Sequence, residues 1–272
     1  MTEPPVPPIP PPSSLPPSFA PPGAPTLRIG DWLSEAWQIL QPFWLESVIA
    51  VLVAGLTIFA GYVLCILPGL VIIGPILAGI QIYFAKRLLG LPAEIGDVFK
   101  GFRRFLDTFL VGLVLYLVPM LINGVLAAPR IFAAMAANGL ANHGDFDNAA
   151  GPLLAVTGCF AGLGYLIVLS YSILAHTFLM FALPLVLFRG MSAMDAMRRS
   201  FEIVKPQFVG FLLLLVVFFL LGMAGAFSGI LLLCIGLLVT VPLARSLINL
   251  IQLQAYRDFV GLTVDDLAPY AN

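Results

Sequence analysis

Arg245 is the one cation inside a long apolar run of this chain, and a charge placed there is a functional hypothesis by default. It could hold an anionic lipid or substrate head group, or pair with Glu46 or Asp107. If its span starts at Ile230, Arg245 sits about three-quarters of the way to the cytoplasmic face, and its side chain could snorkel to the interface. That bland reading is favoured. His176 follows Ser170, Tyr171 and Ser172 in another apolar run. A proton relay there lacks a second intramembrane histidine and a carboxylate at helical spacing, so a hydrogen-bonded packing histidine is favoured. His143 with Asp145 and Asp147 supplies too few ligands for a calcium loop and reads as a solvated loop. Cys65, Cys159 and Cys234 map toward the external ends of their spans, where a disulfide is conceivable, yet cysteines in apolar runs are more often packing residues. No nucleophile–His–acid set, HExxH, phosphate loop or paired-cysteine motif occurs. Neither catalytic residues, metal ligands nor a cofactor are therefore expected, and the chain reads as a non-enzyme.

The elements that position these residues must live in lipid. Of 272 residues, 60% are hydrophobic and 10% charged, with mean hydropathy +1.03, whereas soluble domains carry roughly 25% charged residues. The net charge of −1 gives no reason to expect a nucleic-acid partner. A helix needs about 20 apolar residues to cross the hydrocarbon core. Ser47–Leu67, Pro68–Ala85, Thr108–Ala127, Phe208–Ser228 and Ile230–Leu250 qualify. Pro152–Phe188 is uncharged and long enough for one tilted crossing or, barely, two.

Charge decides between them. With one crossing there, Arg28, Lys86, Arg87, Lys100, Arg103, Arg104, Arg189, Arg198, Arg199, Lys205 and Arg257 share a side, which is 11 of the 13 basic residues. Arg130 alone lies opposite, and Arg245 is inside a span. Basic residues of short loops stay cytoplasmic. The expectation is therefore six spans in the cell inner (plasma) membrane with both termini cytoplasmic, the fourth kinked at Pro184.

The layout repeats. Asp31–Pro42 and Asp195–Pro206 match at a shift of 164, sharing Asp, an aromatic (Trp37, Phe201), Ile and Pro. Ile80-Gln81-Ile82 leading to Gly90-Leu91 matches Ile251-Gln252-Leu253 leading to Gly261-Leu262 at a shift of 171, and Pro75 corresponds to Pro242. Asp97–Phe105 begins a weaker third copy, with Val98, Phe99, Phe102 and Phe105 near one helical face. Each unit is an interfacial amphipathic helix followed by a two-span hairpin, and an even number of spans makes the repeat parallel. Arg103, Arg104, Arg198 and Arg199 on two of these helices are candidate contacts for the anionic leaflet. Gly158 with Gly162, and Gly225 with Gly229, have a spacing that allows close helix packing.

Asp195–Pro206, Leu67-Pro68-Gly69-Leu70 and the run from Cys234 to Pro242 leading to Ala255-Tyr256-Arg257-Asp258 resemble a group of uncharacterised bacterial six-helix membrane proteins. That group is similar to the membrane domain attached to some glycerophosphodiester phosphodiesterases. The resemblance covers about Gly30 to Gly261 and implies an all-α polytopic bundle; it carries no catalytic residues over.

Residues 1–25 hold 12 of the 23 prolines, so 1–29 reads as a disordered cytoplasmic tail, an extended spacer or a ligand for a cytoplasmic protein. Residues 30–262 form the six-span domain and 263–272 a short cytoplasmic tail. The function expected is a membrane-organising, lipid-interacting or scaffold protein. The rival is a small-solute or lipid transporter with a mid-membrane site near Pro75, Pro242 and Arg245.

Overall fold

The computed structural model describes residues 27–64, 66–142, 146–231 and 236–271. The proline-rich segment, Cys65, Cys234, His143 and Asp145 lie outside them. The described residues form helices and no strand, and six stretches are long and apolar enough to cross a membrane. In chain order, α1 (Ile29–Leu40) passes through a 3₁₀ turn, Gln41–Phe43, into α2 (Trp44–Leu64), and α3 (Ile66–Leu88) returns. A 3₁₀ helix, Ile95–Arg104, enters α4 (Phe105–Gly112), which continues through a π-helical turn, Leu113–Leu117, into α5 (Val118–Asn142). Then come α6 (Phe146–Phe178), α7 (Ala182–Arg189) and α8 (Ala193–Val204). A second 3₁₀ turn, Lys205–Gln207, leads into α9 (Phe208–Leu231), followed by α10 (Leu237–Phe259) and a terminal 3₁₀ helix, Asp265–Tyr270.

Helices α3 and α10 form the centre. Their most apolar windows are 67% and 56% buried, against 28% or less for the other four. The outer helices turn Phe59, Val63, Val209 and Leu220 away from the bundle, which water would penalise and lipid does not.

The fourth crossing differs from the expected kink at Pro184. Helix α6 stops at Phe178 and α7 starts at Ala182, so the break precedes the proline, which sits in the first turn of α7. The ring of Pro184 would strike the carbonyl of Met180, four residues back, and has no N–H to give it. The freed carbonyls find side-chain donors instead. Ser200 Oγ donates to the Phe178 carbonyl (2.6 Å) and Gln252 Nε2 to that of Met180 (2.5 Å). Pro119 does the same to the third crossing: its i−4 residue is Leu115, inside the π turn. Val114, in that turn, accepts a hydrogen bond from the Tyr171 hydroxyl (2.8 Å).

The sixth helix also departs from expectation. Ile230 and Leu231 belong to α9, and α10 begins at Leu237. Small residues make the tight approach between these two: Gly225 and Gly229 face Thr240 and Leu237, and Thr240 Oγ1 donates to the Gly225 carbonyl (2.6 Å). Gly158 and Gly162 have no such neighbour.

The return helices α3 and α10 end alike. Gly90 (φ 70°) and Gly261 (φ 89°) adopt the left-handed conformation that stops a helix, and an aspartate then caps a 3₁₀ helix. Asp97 accepts from the Glu94 amide and Asp266 from the Thr263 amide, each at 2.9 Å. Around them the charges pair. Asp97, almost fully buried, takes both Lys86 (2.8 Å) and Lys100 (2.7 Å). Asp258 holds Arg28 (2.8 Å) and the Trp32 indole (2.9 Å), and Arg87 pairs with Glu46.

Candidate functional site

A cavity of about 540 Å³ lies between α3, the π turn, α6, α9 and α10, within the size range of small-molecule sites. Proline chemistry helps to shape two of its walls, since Leu115 and Tyr116 come from the π turn and Met180 and Leu183 from the break before α7. Aliphatic side chains line most of the rest, such as Leu77, Ile173, Leu212 and Ile248. Leu169, Val216 and Phe219 line the cavity and are also exposed on the outer faces of α6 and α9. Phe178 stacked on Phe208, centroids 5.0 Å apart, joins the same two helices at the charged end.

Arg245 and His176, from separate helices, meet in this cavity. Arg245 lies eight positions into α10, about 12 Å from its start and roughly 21 Å from its end. The guanidinium is therefore far from the charged end, and a helical side chain leans toward its own N-terminus, away from that end. Snorkelling to the cytoplasmic face, expected from a span starting at Ile230, loses its geometric basis. Arg245 has no carboxylate partner among the described residues: Glu46 is taken by Arg87, and Asp107 by Arg104 and the Ala193 amide. His176 Nδ1 lies 2.9 Å from the Ser172 carbonyl, its ring edge-on to Tyr116 with centroids 5.9 Å apart. Three amides complete the polar wall: Gln81 from α3, and Asn249 and Gln252 from α10.

Arg103, Arg104, Arg198 and Arg199, the other four candidate contacts, lie outside the cavity. Arg103 donates to the Pro269 carbonyl, and Arg104 bonds Asp107 (3.3 Å) and the Val186 carbonyl (3.5 Å). Together with Lys100, which donates to the Tyr270 carbonyl (2.9 Å), Arg103 fastens the C-terminal 3₁₀ helix to the bundle. Burial pushes the Tyr270 phenol above its ordinary value while Arg104 and Arg103 pull it down. The net rise keeps it a neutral donor to the Leu187 carbonyl (3.2 Å). Arg198 and Arg199 are exposed on α8, Arg199 beside Glu202 (2.9 Å). Pro75 and Pro242 are not in the cavity wall, though each precedes a lining residue, Leu77 or Arg245, by less than one turn. Cys159 is exposed and free, and no group of three or more potential metal ligands occurs among the described residues.

The amides are the residues that reading one segment at a time misses. Gln81 and Gln252 are visible in sequence as matching marks of two hairpins, but their convergence on one void depends on how the hairpins pack. Comparison with protein-family models, curated proteins and solved structures finds no match to this chain.

Proposed function

We propose that this chain is a non-catalytic, multi-pass inner-membrane protein that binds a lipid-type amphiphile between its helices. Its basic end faces the cytoplasm, where α1, the 3₁₀ helix Ile95–Arg104 and α8 lie in the interface as parts of a parallel repeat. The observation that carries this reading is Arg245: a cation without an acid partner among the described residues, in the wall of a cavity that exposed residues of α6 and α9 also line. Arg245 is exposed rather than packed among its neighbours; a charge at membrane depth is costly until it is countered, and an anionic head group entering from the side would neutralise it. The apolar lip suits acyl chains that remain in the bilayer. Support for the interfacial helices comes from their two faces. Ala36 and Ala196 are buried against the bundle, while Trp37, Phe201 and Phe102 are exposed, the disposition expected of aromatics at a membrane surface.

The test is purification with native lipids, followed by mass spectrometry of what accompanies wild type and Arg245→Ala. Co-purifying anionic lipid that disappears from the variant is the expected result; an unchanged lipid profile removes Arg245 as the recognition residue. A second reading, transport of a small solute or lipid, draws on Gln81 and Gln252 occupying matching places in two hairpins and lining the same cavity. Transporter sites often sit between repeats in this way. Accumulation of a labelled lipid or solute on the far side of reconstituted vesicles would favour it over binding alone.

A further inference from the structure

We infer that the ligand of this cavity carries hydrogen-bond donors beside its anion: a phosphodiester lipid whose head group ends in hydroxyl or ammonium, not a bare anion. This deepens the lipid-binding reading and rests on it. The argument is a count of what the polar wall has left to offer.

Arg245 supplies N–H donors and no acceptor, so it calls for the anion. Asn249 and Gln252 have each committed one N–H to a helix carbonyl, and each keeps its amide oxygen as a free acceptor. Asn249 Nδ2 donates to the Arg245 carbonyl (2.8 Å), and Gln252 Nε2 to the Met180 carbonyl freed by Pro184 (2.5 Å). His176 faces the Ser172 carbonyl, which can only accept, so Nδ1 carries the proton and the neutral ring keeps Nε2 as an acceptor. What remains is Oδ1 of Asn249, Oε1 of Gln252 and Nε2 of His176. Gln81 adds a fourth group. It is 4% exposed, and its Oε1 is buried without a hydrogen-bond partner. A half-turn of its terminal amide exchanges oxygen and nitrogen at the wall.

The wall thus sets several unpaired acceptors around one cation, beside the remaining amide N–H groups. An anion alone would satisfy Arg245 and leave the surrounding oxygens facing a negative ligand, while donors on the same head group satisfy both. A site built this way rejects an analogue that lacks the donor, because buried acceptors are then left unpaired. Tyr116 and Ser172, which can donate or accept, adjust to either head group.

The experiment uses the full chain in detergent and native mass spectrometry with two matched lipid pairs. Phosphatidylglycerol and phosphatidylmethanol have the same charge and differ in the hydroxyls; phosphatidylethanolamine and phosphatidylcholine differ in the ammonium N–H donors. The donor-bearing member of at least one pair should bind roughly tenfold tighter or more, and the pair that responds identifies the donor as hydroxyl or ammonium. Gln81→Leu should shrink that preference, whereas Arg245→Gln should weaken all four lipids together. Equal binding within both wild-type pairs overturns the inference and leaves the lipid reading standing, a result that does not depend on any variant folding. Binding of none of the four sinks the lipid reading and the inference with it.

Discussion

Helices α3 and α10 each return from an outer helix and end alike, yet their cations are treated in opposite ways. Both basic residues of α3 have an acid: Lys86 shares Asp97 with Lys100 of the 3₁₀ helix that follows, and Arg87 has Glu46. The backbone of the following 3₁₀ helix also sits directly on α3, since a β-carbon at Gly79 would collide with the Val98 carbonyl and one at Gly101 with the Pro75 carbonyl. Along α10, Arg257 is paired with Glu35 near the helix end (3.3 Å), but Arg245, Asn249 and Gln252 border a void. The contrast separates charge used to hold the fold from charge held in reserve. Where a buried cation is matched and the backbones touch, nothing else can enter.

The largest effect should come from breaking the matched side. Asp97→Ala leaves Lys86 buried without its counter-ion, and removing one partner of a buried pair costs about 3–5 kcal/mol. Thermal unfolding in detergent should show this as a large drop in Tm, with Lys86→Met in the same chain restoring part of it. Next comes Gly79→Val. Its side chain must push the 3₁₀ helix Ile95–Arg104 off α3, at about 1–3 kcal/mol by analogy with overpacked cores. Hydrogen exchange should rise across Ile95–Arg104 and stay unchanged in α10. Gly90→Ala is milder, since a left-handed alanine costs roughly 1–2 kcal/mol and no neighbour crowds the site. The same measurement on Gly261→Ala tests whether the two helix ends are equivalent.

Much of this frame is legible in one dimension because membrane helices announce themselves by apolar length and by where Lys and Arg fall. Six stretches long enough to cross follow from that; Gly90 and Gly261 stand out in the sequence only as corresponding positions, and their role as helix stops comes from the fold. Breaks inside apolar runs were harder to place. Pro184 acts backward on the Met180 carbonyl, so the interruption comes before the proline. Ile230 and Leu231 are as apolar as the helix that follows, so nothing in their type assigns them to α9. The cavity was legible only in pieces. Arg245 and His176 stand out singly, but they come from α10 and α6 and the amides around them from α3 and α10, and no spacing along one chain segment reports a gap between three helices. Arg103 and Arg104 illustrate the converse: adjacent cations suggest an exposed basic patch, while the fold spends them on the Pro269 and Val186 carbonyls.

The smallest stability effect tests the comparison most directly. Arg245→Met removes a cation that holds no acid among the described residues, keeps much of the aliphatic stem, and leaves the cavity wall without a charge. Loss of an exposed charge with no acid partner among the described residues should leave Tm unchanged or slightly raised, while the bound anionic lipid is lost. Asp97→Ala should do the reverse, lowering Tm without changing which lipids the surviving folded fraction retains. The two variants therefore separate along two measurements, stability and lipid retention. If Arg245→Met destabilises the protein as much as Asp97→Ala does, Arg245 holds the fold as Lys86 does, and α10 carries no reserve of charge for a ligand.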